Sequence, residues 1–209
     1  QAAASIVNYL INSYYSGKIL AYSAREQLRD VTPFAIVAIA IKFTSRGPVL
    51  FRQTRCGLNG RVFTLLKFRS MVRDAEAMKA GLADRNERSL VFKIKNDPRL
   101  TPLGKWLRKF SIDELPQLWS ILMGDMSWVG PRPALFNQTD LIDMRTQAGV
   151  HQLVPGLTGW AQVNGRDEIA LPDKVQLDTE YLQRQSFVFD LHILWLTVRK
   201  VVRREGITH

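Results

Sequence analysis

The longest apolar run in the chain, VTPFAIVAIAIKF at residues 31–43, limits what the protein can be. A helix needs about 20 apolar residues to cross a bilayer core, and no stretch here reaches that length. A bundle of spanning helices is therefore not expected. The Thr32-Pro33 step predicts a helix boundary, because a proline ring disfavours helical geometry in the residue before it. Two readings of 31–43 stay open: a buried core helix, or an element that dips into one leaflet. Residues 1–30 lack a compact apolar core followed by a cleavage site, so no secretory leader is expected.

Charge comes next. The chain carries 29 Lys and Arg against 19 Asp and Glu, a formal net charge of +10. Such an excess predicts an anionic partner: nucleic acid, an acidic membrane face or a phosphorylated small molecule. No helix-turn-helix, zinc or RNA-recognition pattern supports the first. With 46% hydrophobic residues over a length of 209, one folded domain with a real core is expected, with room for an appendage. The single cysteine, Cys56, cannot form an internal disulfide. It fits a reducing compartment and reads as a packed residue rather than a nucleophile.

Along the chain, the segments VLFRQTR and RVFTLLKFRS flank the turn-forming GLNG and read as a β-hairpin. RDAEAMKAGLAD, 73–84, reads as an exposed helix, and LGKWLRKF as a short basic one. Leu115, Leu118, Trp119 and Leu122 recur at helical spacing and suggest one apolar face. GDMSWVGPRP, 124–133, reads as loop, and VPGLTGWAQVNGRDE as irregular chain punctuated by glycine. Helices are expected near 138–148 and 173–184. A last one, FDLHILWLTVRKVVRRE, ends in Arg199, Lys200, Arg203 and Arg204, which complement its dipole or suit an anionic membrane surface. The fold class is α+β, mostly helical with a small hairpin or sheet.

Within FSIDELPQLW two carboxylates, Asp113 and Glu114, stand side by side in a basic chain. Ser111-Ile112-Asp113-Glu114 fits a capping box, with Ser111 as N-cap and Glu114 reaching back. Pro116 sits awkwardly in that register, since it removes a helix hydrogen bond; a helix starting at Asp113 instead places it in the first turn, where no donor is lost. The helix dipole, with Arg108 and Lys109 just before, is expected to favour the ionised form of Asp113. An ionised aspartate can attack phosphorus once the substrate's own charge is neutralised. A neighbouring carboxylate holding Mg²⁺ would do part of that, because Mg²⁺ takes one or two carboxylates plus phosphate oxygens. Arginines can clamp the other oxygens. The chain offers Arg69, Arg108, Arg132 and Arg166, and several of them lie in glycine- or proline-rich segments, so a phosphate-handling site is favoured over solvated surface.

Three blocks then become recognisable: KFRSM (67–71), DPRLTPLGKWLRKFSIDELPQLWSILMGDMSWVGPRP (97–133) and PGLTGWAQVNGR (155–166). In order and spacing they resemble the bacterial sugar transferases, the monotopic phosphoglycosyl transferases of polyprenyl phosphate. The resemblance implies an enzyme on the cytoplasmic face of the bacterial inner membrane. It would transfer a sugar 1-phosphate from a UDP-sugar to undecaprenyl phosphate and release UMP, the first membrane step of surface-glycan synthesis. It further implies that Asp113 is the nucleophile of a ping-pong reaction and that Glu114, with Asp113, lies at Mg²⁺. Lys67, Arg69, Arg108, Arg132 and Arg166 are the expected phosphate and nucleotide contacts. The domain would run from 31 to 209, with a re-entrant or interfacial helix at 31–43 broken at Thr32 and Pro33, after an N-terminal extension, 1–30. The family's apolar arm before the Ser-Pro step is replaced here by the charged LAYSAREQLRD. A homo-oligomer is left open. The competing reading is a non-catalytic basic module that binds acidic lipid or nucleic acid.

Overall fold

The computed structural model describes residues 23–85, 94, 96–165 and 169–203. Two compact units divide the chain, the first ending at Ser45 and the second running from Arg46.

In the first unit, helix α1 (Ala24–Thr44) starts on a capping box: the Ser23 hydroxyl accepts the Glu26 amide while Glu26 Oε2 accepts the Ser23 amide at 2.8 Å. The boundary expected at Thr32-Pro33 is absent, and α1 runs through Pro33. The proline removes the amide donor that would serve the Arg29 carbonyl, while the Thr32 hydroxyl adds a bond to the neighbouring Leu28 carbonyl at 2.6 Å. The apolar half is no core helix either. Ile41 is buried, but Ile36, Ile39 and Phe43 are more than half exposed. Among the described residues no helix is long and apolar enough to cross a membrane.

The second unit opens with the expected hairpin. β1 (Leu50–Cys56) pairs antiparallel with β2 (Val62–Phe68), Leu50 opposite Phe68 and Cys56 opposite Val62. The turn between them uses Asn59 and Gly60 at positive φ, which is why Asn-Gly suits it. After the hairpin, 3₁₀ turns over Ala77–Arg85 replace the α-helix expected at 73–84. Then come α2 (Pro102–Lys109), a 3₁₀ segment (Ile112–Gln117) and the short α3 (Leu118–Leu122). Trp119 and Leu122 are exposed, so the apolar face expected around them looks outward; Gln117 and Ser120 are buried instead.

Two stretches expected to be irregular contain pairing. β3 (Ser127–Val129) lies parallel to β5 (Gly156–Thr158), and β4 (Ala134–Leu135) adds to the outer edge of β1. Strands this short are written in the partner rather than in their own period. Gly130 and Gly156 permit the crossing: a Cβ on Gly156 would stand 2.1 Å from the Gly130 amide nitrogen. α4 (Thr139–Gln147), α5 (Trp160–Asn164), α6 (Leu171–Arg184) and α7 (Phe187–Arg203) complete the unit. Val129, Val150, Val163, Tyr181, Phe189 and Ile193 form its main core, each large apolar side chain contributing about 1.5–3 kcal/mol. The opposite face of α7 exposes Phe187, Leu191, Trp195, Val198 and Val202, and Arg199 stacks over Trp195. Arg204 lies outside the described residues.

Candidate active site

Side chains alternate along a strand, so Lys67 falls on the face of β2 that carries buried Phe63 and Leu65. Near the strand's end this places an ammonium where a core side chain would otherwise sit. Just beyond β2, the Ser70 carbonyl accepts the Thr101 amide at 3.0 Å. Thr101 in turn caps α2 through the Gly104 amide at 2.9 Å. Gly104 is required there, since a Cβ would stand 1.8 Å from the Ser70 oxygen. Fastened in this way, α2 brings Arg108 back to Ser70, Nε to Oγ 2.9 Å.

The turn after α2 sets the dyad. Ser111 is left-handed, φ 55°, with its amide on the Arg108 carbonyl. This reversal lays the 3₁₀ segment along β2 and turns Asp113 and Glu114 towards the cations. The expected capping box does not form: Ser111 makes no side-chain cap. Glu114 Oε1 instead accepts Lys67 Nζ at 2.8 Å and Arg132 Nη2 at 3.1 Å. Two cations with geometric hold on the carboxylate outcompete one neutral amide.

Asp113 differs from its neighbour. It is 7% exposed, and among the described residues nothing donates a hydrogen bond to its carboxylate. Burial, reinforced by the Glu114 charge, pushes its pKa above the usual carboxylate range, against the pull of Lys67, Arg108 and Arg132. The expectation that dipole and neighbouring cations would dominate is thus corrected; desolvation wins. Burial also lowers the Lys67 ammonium and the Arg108 guanidinium, opposed by Glu114 and Asp113 respectively.

Lys67, Arg108, Arg132, Asp113 and Glu114 therefore converge from β2, α2, the 3₁₀ segment and the loop after β3. Arg69 is buried close by, its Nη1 on the Arg46 carbonyl at 2.8 Å. Arg166 lies outside the described residues, and Thr32 and Pro33 belong to the first unit. Sequence reasoning missed Ser70 as the seat of Arg108. It also missed two buried pairs, Asp97 with Arg99 and Arg145 with Asp178. The first was visible as DPR inside a quoted block. The second had no local signal, its members being 33 positions apart.

Among the described residues no group of three or more His, Cys, Asp or Glu could hold a metal by itself. Two adjacent carboxylates, one already carrying two cations and the other accepting no hydrogen bond from a described residue, fit Mg²⁺ that would keep phosphate and water oxygens. They do not fit a closed structural metal site.

Fold and site together define a basic α+β domain with a buried acidic dyad under convergent cations, suited to a phosphorylated substrate. The chain belongs to the bacterial sugar transferase family, which matches residues 28–204. It is 46% identical to "Uncharacterized sugar transferase EpsL" of Bacillus subtilis, over 83% of this chain and 79% of that protein. It is 42% identical to "Undecaprenyl-phosphate glucose phosphotransferase" of Komagataeibacter xylinus, over 80% of this chain and 32% of that one. With the Escherichia coli "UDP-glucose:undecaprenyl-phosphate glucose-1-phosphate transferase" it shares 40% identity, over 78% and 35%. The chain thus spans most of the first relative but about a third of the other two.

Proposed function

We propose that this protein transfers a sugar 1-phosphate from a UDP-sugar to undecaprenyl phosphate, with Asp113 as the nucleophile. The observation that carries the reading is the inequality within the dyad. Glu114 is held by Lys67 and Arg132, whereas Asp113 is buried beside it and, among the described residues, nothing donates a hydrogen bond to its carboxylate. A carboxylate left in that state is costly unless it is used. The names of the relatives supply the substrate classes, a nucleotide-sugar donor and a polyprenyl phosphate acceptor.

In the first half-reaction a carboxylate oxygen of Asp113 bonds to the sugar-bearing phosphorus. The bond from that phosphorus to the bridging oxygen breaks, and UMP leaves with the electron pair. In the second, an oxygen of undecaprenyl phosphate attacks the same phosphorus and returns the carboxylate. Arg108 and Arg132 hold the transferring phosphate, and Lys67 keeps Glu114 in register. Mg²⁺ held by Asp113 and Glu114 would supply neutralisation of the diphosphate. Membrane attachment at the cytoplasmic face is part of the proposal, supported by the exposed apolar residues of α1 and, separately, by the apolar-basic face of α7.

The deciding experiment mixes enzyme with UDP-sugars and Mg²⁺ and withholds lipid. The expected result is at most about one equivalent of UMP, together with a sugar-phosphate label on the protein that hydroxylamine removes. Undecaprenyl phosphate should then discharge it. A UDP-sugar that supports full turnover yet gives neither label nor UMP before lipid would overturn the covalent route.

A further inference from the structure

Arg132 reaches the dyad from a loop rich in proline and glycine, and its backbone is tied from behind. Arg145, in α4, donates Nη1 to the Arg132 carbonyl at 2.8 Å. Its other nitrogens, Nε and Nη2, fork onto Asp178 Oδ2 of α6 at 3.0 and 2.6 Å. Arg145 is 7% exposed and Asp178 1%. A fork onto a carboxylate fixes the plane of a guanidinium, so the remaining nitrogen is aimed rather than free to search. The series runs from Asp178 through Arg145 to the Arg132 main chain, then through the Arg132 side chain to Glu114, next to Asp113. We propose that Arg145, oriented by Asp178, is a positioning residue that holds the Gly130–Pro133 loop so that Arg132 meets Glu114 and the transferring phosphate.

This inference rests on the reading of Arg132 given above, and it asks for something a structural ion pair would not do. A buried pair kept only for stability can be replaced by apolar side chains of similar volume at little cost. The double substitution Arg145→Met with Asp178→Leu removes the fork and the aim together while leaving no unpaired charge. Arg145→Lys keeps a cation beside Asp178, but a single ammonium lacks the planar fork that aims the third nitrogen.

The test has two arms. In the first, hydrogen exchange of peptides covering residues 128–136 is compared between the wild type and the Met/Leu double variant. Exchange there should quicken by about tenfold or more while the thermal midpoint stays within a few degrees. Unchanged exchange would overturn the proposal whether or not the protein turns over any UDP-sugar. In the second, the rate of UMP release should fall about 10- to 100-fold in Arg145→Lys and in the double variant, the scale of an ångström-sized misplacement. Arg132→Ala should lose activity to a comparable or greater degree, and adding Arg145→Lys to it should cost nothing further, because the one residue acts through the other. Additive losses, or full activity in the Met/Leu variant, would reduce Arg145 to a structural role. Absence of UMP release from the wild type with every UDP-sugar would instead count against the proposed reaction, and the exchange arm would still decide the positioning.

Discussion

Asp113 and Asp178 are both buried and both pushed above the usual carboxylate range, burial being the first cause in each. They differ in what surrounds the charge. Asp178 takes two hydrogen bonds from Arg145 on one oxygen. Asp113 takes none among the described residues, although Lys67, Arg108 and Arg132 all act on it through space. Of these cations, Lys67 and Arg132 donate to Glu114 and Arg108 donates to Ser70. Under the proposed function, Asp178 is buried to hold Arg145 and Asp113 to react: burial alone does not tell them apart, but the hydrogen-bond partners among the described residues do.

The largest effect expected from breaking this contrast is on activity. Asp113→Asn should lower turnover by at least roughly 10³-fold, the scale seen when a nucleophile is removed. It should not weaken the fold. A raised pKa means the folded state binds the Asp113 proton more tightly than the unfolded chain does. The resulting stability is complete at low pH and is lost as pH rises through the folded pKa. Asparagine escapes that loss, so its thermal midpoint at pH 7 should exceed the wild type's, and the gain should vanish at acid pH. A variant with near-normal turnover, or one destabilised at pH 7, would remove Asp113 from the role assigned to it.

Asp178→Ala should do the reverse. It strands the Arg145 guanidinium in the interior, a defect that costs about 3–5 kcal/mol, measurable by urea unfolding. A loss below about 1 kcal/mol would show that water reaches Arg145 and that the pair is not structural. The contrast with Asp113→Asn is then one of sign as well as size.

The third test uses pH. The attacking carboxylate must be ionised, so the label-forming step should fall with acid along a limb placed above the ordinary carboxylate range. Lys67 opposes the rise in the Asp113 pKa, so Lys67→Met should move that limb to higher pH. A limb at the usual carboxylate position, unmoved in Lys67→Met, would show that Asp113 is better solvated than its burial indicates.

How much of this was legible in the sequence is best judged from two segments of one pattern. Ser23-Ala24-Arg25-Glu26 and Ser111-Ile112-Asp113-Glu114 share the S-x-x-E spacing of a capping box. The first forms it, with an amide-to-carboxylate bond of 2.8 Å; the second does not, because Glu114 is claimed by Lys67 and Arg132 from 47 and 18 positions away. Local pattern was reliable where nothing distant competed, as in the β1–β2 hairpin with its Asn-Gly turn. It failed where a remote partner intervened: β3 and β5 pair across glycines read as loop, and Arg145 finds Asp178 on another helix. A phosphate-handling dyad was favoured by the residues themselves; the particular reaction, and the roles of nucleophile and metal ligand in it, came through the three family blocks. Burial, which reverses the expected direction of the Asp113 pKa, is a property of the assembled site.

The smallest expected effect tests whether burial, not length, sets the worth of an ion pair here. Lys79 Nζ and Glu76 Oε2 are 2.6 Å apart, the same separation as Arg145 and Asp178. Their side chains, however, are 42% and 69% exposed, against 9% and 2% for the buried pair. In water each exposed ion loses little hydration when it separates from its partner, and salt screens what attraction remains. Glu76→Gln should therefore change stability by no more than about 0.5 kcal/mol, should lose even that in 1 M salt, and should leave UMP release untouched. The buried pair should be far less sensitive to salt, because counter-ions cannot reach it. If Glu76→Gln instead cost as much as Asp178→Ala, contact distance would outweigh burial in this protein, and the distinction drawn between Asp113 and Asp178 would lose its physical basis.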